Sequence, residues 1–155
     1  MANQTEYLTA SRFYFEAQGL ERKIIKEVSG LGVESTPAQE IHGSSIGGAA
    51  TRQATPTVAK FTNITLKLVA TTDIDLYKWY EDCNNNMGGK SKWNEKRKLG
   101  SVSAYDQSGE MKARWEIEMC YPCKYTGPTL TASSGDMATE TIELVHEGIK
   151  RVPPK

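Results

Sequence analysis

The run Ala138–Ile149, Ala-Thr-Glu-Thr-Ile-Glu-Leu-Val-His-Glu-Gly-Ile, constrains the fold more than any other stretch of this chain. Side chains alternate between the two faces of a strand. Ala138, Glu140, Ile142, Leu144 and His146 therefore share one face, and Thr139, Thr141, Glu143, Val145 and Glu147 the other. Both faces mix apolar and charged groups, whereas a strand on a solvated domain surface shows one clean apolar face. The pattern predicts a last strand with a core behind it and a partner in front. Its pairing edge must come from the rest of the chain or from another copy.

Length and charge narrow the alternatives. The chain has 155 residues, which suits a single domain over 1–155 with a substantial core. Nineteen Lys and Arg side chains balance nineteen Asp and Glu, so no net field draws the protein to nucleic acid or a membrane surface. No apolar run approaches the ~20 residues that span a bilayer, which predicts no membrane anchoring. Met1–Arg12 lacks a basic stretch followed by an apolar one, which predicts no secretory signal. Three cysteines without a signal do not make a disulfide framework.

The local patterns are those of a β protein. Arg12–Ala17 alternates with Phe13, Phe15 and Ala17 on one face, and Gln18–Glu21 turns it into a second strand over Lys23–Val28. Gly30 and Gly32 predict a bulge or sharp bend before Val33–Ser35. Thr36–Pro56 is rich in Gly, Ser, Ala and Thr and has almost no periodicity. It reads as an extended loop that leaves the domain and orders on a neighbour. Val58–Ala70 reads as one long strand with Thr62, Ile64, Leu66 and Leu68 on one face. Thr71–Asp73 supplies helix-start chemistry, and Leu76, Trp79, Tyr80 and Cys83 form one buried helical stripe that Asn84–Asn86 and Gly88–Gly89 terminate. Leu99–Tyr105 and Met111–Lys124 flank a turn at Asp106–Gly109. Trp115, Ile117, Met119 and Tyr121 are expected on one face of the second of these, with Pro122 at its end or at an edge. A short strand is possible around Thr129–Ala132, and Lys150–Lys155 reads as an unpaired tail. The sum is about seven strands and one helix, a mainly β, antiparallel barrel or sandwich with one flanking α-helix.

Residues with chemical potential were weighed against their ordinary roles. Cys120-Tyr121-Pro122-Cys123 is a C-x-x-C, but a strand precedes it and no helix follows, so no helix dipole lowers a thiol pKa. A structural zinc needs four ligands, and beyond this pair only Cys83, His42 and His146 remain. The basic stretch Lys90–Lys98 around Trp93 lies in a neutral chain and reads as a solvated or inter-subunit loop. Glu140, Glu143 and Glu147 read as interface ion pairs or channel charge rather than paired catalytic acids. No cofactor, metal or catalytic residue is expected.

Glu27-Val28-Ser29-Gly30-Leu31, Phe61-Thr62-Asn63-Ile64-Thr65-Leu66-Lys67, the helix with Leu76 and Trp79-Tyr80, the Tyr121-Pro122 bend and Glu140–Gly148 occur in this order over Phe13–Ile149. This ordered set resembles the tail tube protein family of contractile phage tails and phage-like contractile injection systems. Gly88–Trp93 and the Cys120/Cys123 pair fall outside the family pattern. The resemblance implies a fold similar to the hemolysin-coregulated protein of type VI secretion, and hexameric rings that stack into a hollow tube conducting DNA or protein cargo. It implies as partners further copies of the chain, a contractile sheath protein, and baseplate and tail-terminator proteins. It places the protein in a virion tail or in an injection particle assembled in the bacterial cytoplasm. The contact residues expected between subunits are His42, Gly43, Ser44, Ile46 and Arg52 in the 36–56 loop, and Glu140, Glu143, Val145, His146 and Glu147 on the last strand. The alternatives are a secreted effector-carrying ring protein and a thiol-redox or zinc enzyme built on Cys120 and Cys123.

Overall fold

The computed structural model describes residues 7–9, 11–43, 48, 50–85 and 88–154, with the backbone alone for His42, Ala50 and Thr51. Its elements are β1 (Phe13–Ala17), β2 (Lys23–Ile24), β3 (Glu27–Ser29), β4 (Val33–Glu34), β5 (Ala38–Gly43), β6 (Ala50–Thr55), β7 (Lys60–Phe61), β8 (Ile64–Val69), α1 (Asp75–Asn84), α2 (Trp93–Lys96), β9 (Lys98–Tyr105), β10 (Met111–Thr126), β11 (Thr139–Val145) and β12 (Gly148–Val152). The main sheet runs β2-β1-β9-β10-β11-β8-β3, with β12 also on β10, and its pairings are antiparallel. The β-rich class and the flanking helix match the expectation from sequence.

β10 joins the two halves of the sheet. Arg114–Glu118 lies between β9 and β12, and Tyr121–Thr126 pairs with β11. The register slips between Ile117 and Cys120, where Met119 takes φ 48°. One extra residue reverses the inside–outside phase of a strand. Ala113 and Ile117 face the core before the bulge, and Cys120 and Pro122 face it afterwards. Met119, expected beside Ile117 in the core, is 42% exposed for this reason. Pro122 sits at a second register shift, where its missing N–H interrupts no regular ladder.

The core forms between these halves and α1. Phe15 and Val102 come from β1 and β9, Ile64 and Leu66 from β8, Ile117 from β10, and Ile142 and Leu144 from β11. Trp79 and Cys83 of α1 are buried in the same cluster, and Leu76 and Tyr80 pack against it, as the stripe predicted. The helix is pinned at both ends. Asp73 Oδ1 accepts from the Asp75 N–H at 3.0 Å, and Asn85 ends the helix in the left-handed region at φ 43°. Asn84 Nδ2 donates to the Pro122 carbonyl at 2.7 Å, which seats α1 over the bend of β10. Trp79 Nε1 donates to the Lys96 carbonyl at 2.8 Å and ties in α2.

Several expected boundaries change. Ala138–Ile149 is two strands, β11 and β12, broken at His146-Glu147. β11 has β10 on one side and β8 on the other, so its pairing edges are filled within the chain. Lys150 to Val152 belongs to β12 rather than to an unpaired tail. Lys23–Val28 also splits, β2 pairing with β1 and β3 with β8, because the chain crosses from one half-sheet to the other at the buried Ile25. Val58–Ala70 breaks at Thr62-Asn63. Residues 127–138 contain no strand, so none forms at Thr129–Ala132. Thr36–Pro56 is not structureless: its described part is a β-hairpin, β5 and β6.

One buried cation fastens β2 to the start of α1. Lys23 is 8% exposed, and its ammonium meets Asp73 and, at 3.3 Å, Asp75. Burial pushes Lys23 down, and the hydrogen bonds it donates to the two carboxylates more than restore it, leaving it above the ordinary lysine value. The hydrogen bond from Lys23 holds the Asp73 carboxyl below the usual carboxylate range. A carboxyl whose folded pKa is depressed adds stability that is complete above the unfolded pKa and is lost as pH falls through the folded one. Asp73→Asn is therefore expected to lower the unfolding free energy, read from urea denaturation at neutral pH, by about 1 kcal/mol or less, because the Asp73 side chain is half in solvent. The difference from wild type should shrink as the pH falls through and below the ordinary carboxylate range. At the bulge, Met119→Val should cost roughly 1–2 kcal/mol in the same measurement, since a β-branched residue resists φ > 0, while Met119→Gly should be tolerated.

Candidate functional site

The feature that the core does not explain is a ribbon that leaves the main sheet. Its root pairs Val33 with Phe61 and Glu34 with Lys60. Its outer part runs from Ala38↔Thr55 to Gly43↔Ala50. Between the two, Ser35 Oγ donates to the Thr57 carbonyl at 2.7 Å, and Thr57 Oγ1 donates to the Thr36 carbonyl. Six residues of strand reach roughly 20 Å. An isolated two-stranded hairpin has no core of its own and is marginal in water. Along the ribbon Ile41 of β5 is 69% exposed and Val58, between β6 and β7, 86%, with Val33 of β4 also exposed.

The root is built tightly. Gly30 has φ +85°, and a Cβ there would stand 2.1 Å from the Asn63 carbonyl oxygen, so only glycine fits. Thr62 Oγ1 donates to the Gly30 carbonyl at 3.0 Å, joining the two legs of the ribbon. His146 Nε2 donates to the Thr62 carbonyl at 2.9 Å, and its ring packs on Phe61 with centroids 5.5 Å apart. Asn63 Nδ2 donates to Glu143 at 2.7 Å. Both legs are thus tied to the end of β11.

The residues expected at contacts between subunits fall into two groups. Gly43 is exposed at the end of β5, and the His42 backbone pairs with Thr51. Arg52 is exposed on β6 and bonds to Gln39 on β5. Ser44 and Ile46 lie outside the described residues. On β11, Glu140 bonds to the Tyr125 hydroxyl, whose pKa is raised by burial and by that carboxylate. Glu143 holds Asn63, and Val145 is half-buried beside Tyr121. His146 is 8% exposed and faces inward, and Glu147 is ion-paired to Arg97. The structure thus brings Glu143 and His146 together at the ribbon root and leaves Arg52 and Gly43 on the ribbon itself. Thr62, Asn63 and Phe61 complete the root and were not singled out as contact residues. Their signal was the unusual Gly30-x-Gly32 pair facing them.

Burial raises Cys83 to about 11 and Cys120 to about 12. Cys123 is raised by burial and then by the Glu143 charge. Among the described residues no group of His, Cys, Asp and Glu is placed to hold a metal ion. Arg97 of the basic segment stacks on Trp93 at 5.1 Å and pairs with Glu147, and Lys98 donates to the Gln18 carbonyl at 2.8 Å. Among the described residues no helix is long and apolar enough to cross a membrane.

A two-part antiparallel β body with a short helix at its bend and a projecting, uncovered ribbon defines an assembly subunit. The model of the T4-like virus tail tube protein gp19 family matches residues 9–150, and the chain belongs to that family: it is a structural subunit of a tail tube. Among solved structures it is similar to a chain of the sheath-tube complex of an extracellular contractile injection system, PVC, in the extended state. That chain is 22% identical with a TM-score of 0.74, the match covering 95% of this chain and 92% of that one. It is also similar to a chain of the tube-terminating cap of the anti-feeding prophage, 20% identical with a TM-score of 0.76, covering 97% and 93%. Hcp1 from Flavobacterium johnsoniae is more distant, 18% identical with a TM-score of 0.55, covering 90% and 93%. No curated protein matches the chain by sequence.

Thiol labelling tests the inert reading of the cysteines. In the native protein at neutral pH a maleimide should modify at most Cys123, and Cys83 and Cys120 should react only after unfolding, as read by intact mass.

Proposed function

We propose that this subunit closes into hexameric rings that stack into a hollow tube, each copy laying its β5–β6 ribbon on a neighbouring copy. The observation that carries this reading is the ribbon: a two-stranded strip without a core of its own, along which Ile41 of β5, Val33 of β4 and Val58 between β6 and β7 are exposed. In it, the whole chain, 1–155, acts as one tube domain with 36–56 as its inter-subunit arm. His42, Gly43, Ser44, Ile46 and Arg52 make contacts from the arm, and the end of β11 receives neighbours beside Glu140, Glu143, Val145 and Glu147. His146 contributes from beneath by holding the arm. β2, β3 and β12 each have one paired side among the described residues, and such open edges need a cover. Pairing them between copies closes the ring.

The mechanism is mechanical. A contractile sheath surrounds the tube, a baseplate and a terminator bound its ends, and DNA or protein passes through the lumen. The relatives in a sheath-tube complex and a tube-terminating cap support these partners. The protein works without catalysis, in a virion tail or in an injection particle. A second reading, a secreted ring that carries effectors, is favoured by the likeness to Hcp1. Rings free in culture medium, with no sheath attached, would support it over the first.

Negative-stain electron microscopy of the purified protein across a concentration series should show rings or hollow tubes, with interfaces larger than the ~1,600 Å² of a standard complex. A monomer at every concentration would sink the proposal. Ile41→Asp and Val58→Asp should abolish tubes while changing monomer stability by less than about 0.5 kcal/mol, since both positions are exposed in the isolated chain.

A further inference from the structure

His146 is the one histidine whose side chain the structure describes, and it sits where the ribbon meets the body. Its Nε2 faces a carbonyl, the Thr62 oxygen at 2.9 Å, so Nε2 carries the proton in the neutral ring. Its Nδ1 is closed off from solvent and has no hydrogen-bond partner among the described residues. Phe61 covers one side of the ring. A neutral ring leaves Nδ1 as a bare acceptor, which such a site tolerates. A second proton turns Nδ1 into a charged donor in a closed place with nothing to receive it, and burying a charge unpaired is costly.

We propose that His146 is a proton-sensitive latch: while neutral it fixes the ribbon root to the end of β11, and on taking up a second proton it lets the root go. The ring can escape its buried site by breaking its bond to Thr62 and parting from Phe61, and those two contacts hold the returning leg of the ribbon. The outgoing leg follows, because Thr62 Oγ1 bonds to the Gly30 carbonyl.

Among the described residues, none of the charged groups on the elements around the ring hydrogen-bonds Nδ1. On its own stretch, Glu143 is bonded to Asn63 and Glu147 to Arg97. On β10, the Glu118 backbone carbonyl takes the Glu147 N–H at 3.0 Å, and its carboxylate lies beside Gly148. Cys123, near Asn63, is held as a neutral thiol. On β7, Lys60 adjoins Phe61 and adds positive charge. His146 thus acts as a positioning residue for the arm. The consequence for assembly rests on the tube reading: tubes whose arms are latched at neutral pH loosen under mild acid.

The latch is tested on the full chain below the concentration at which rings form. NMR reads the contact between the Phe61 and His146 rings and the hydrogen-exchange protection of the β4 and β7 amides, corrected for the intrinsic pH dependence of exchange. Lowering the pH from about 7.5 to about 5 should abolish the inter-ring contact and cut protection at the root at least about tenfold. Amides of β8 and β11 and the Trp79 fluorescence should hold. His146→Gln keeps a donor for the Thr62 carbonyl and takes up no proton, so its root protection should stay flat. Root protection in wild type that ignores pH overturns the latch, as does a His146→Gln protein that responds like wild type. Should that variant fail to fold, the ¹⁵N shifts of the wild-type His146 ring decide: protonation of Nδ1 must coincide with root opening, and a mismatch overturns the proposal. Tubes that form at neutral pH over a root that never responds would sink the latch alone. A responsive root in a protein that forms no tubes would sink the assembly reading alone.

Discussion

The bulge at Met119 is the constraint on which the rest of the molecule depends. A sixteen-residue strand with unbroken period would show one face to the interior along its whole length. Here the single residue in left-handed conformation exchanges the faces halfway, so β10 belongs to β9 and β12 first and to β11 afterwards. The bend this creates is held by short polar contacts. The Cys120 thiol donates to the Lys98 carbonyl at 3.2 Å, and the Asn84 side-chain amide donates to the Pro122 carbonyl. α1 therefore acts as a brace across the corner where the two half-sheets meet. Cys120, the buried cysteine of the C-x-x-C, is part of this corner.

Charge is handled in the same local way. The formal net charge is zero, and many individual charges close on one another: Lys23 on Asp73 and Asp75, Arg22 on Glu16, Arg97 on Glu147. The exposed ones, such as Arg22 with Glu16, contribute little to stability. Their effect is to leave a surface without a strong field, on which shape and apolar side chains decide what binds.

Much of this architecture could be read from the sequence, for physical reasons that vary by element. The stripe Leu76-Trp79-Tyr80-Cys83 and the alternation of Ile64, Leu66 and Leu68 were legible because each meets the core directly, and burial writes its period into the residue types. The turn at Asp106–Gly109 was legible because Asp106 is a strong local acceptor: it takes the Ser108 hydroxyl at 2.7 Å and the Glu110 N–H at 2.9 Å, and is held down to about 2. Met119 was not legible, because an apolar residue at the next alternating place looks like more of the same strand. The ribbon was not legible as strands because, in one copy, neither of its faces touches a core. Ala38–Gly43 and Ala50–Thr55 carry no hydrophobic period, only backbone pairing. At its root, Gly30 announced a bend, but the pairing of that bend with Thr62 and His146 spans long sequence separations that no local pattern records.

The single point of attachment of the ribbon has a mechanical consequence. A two-stranded strip is stiff along its length, since stretching it means stretching covalent chain, yet it pivots easily where it is fastened. Fastened at its root through the Gly30–Thr62, Thr62–His146 and Asn63–Glu143 contacts, each ribbon is a rod on a pivot. Rods of this kind transmit axial load from one body to the next while letting the bodies tilt. A column built from such units resists compression along its axis and accommodates curvature by small rotations at the pivots, leaving the packed β bodies undeformed.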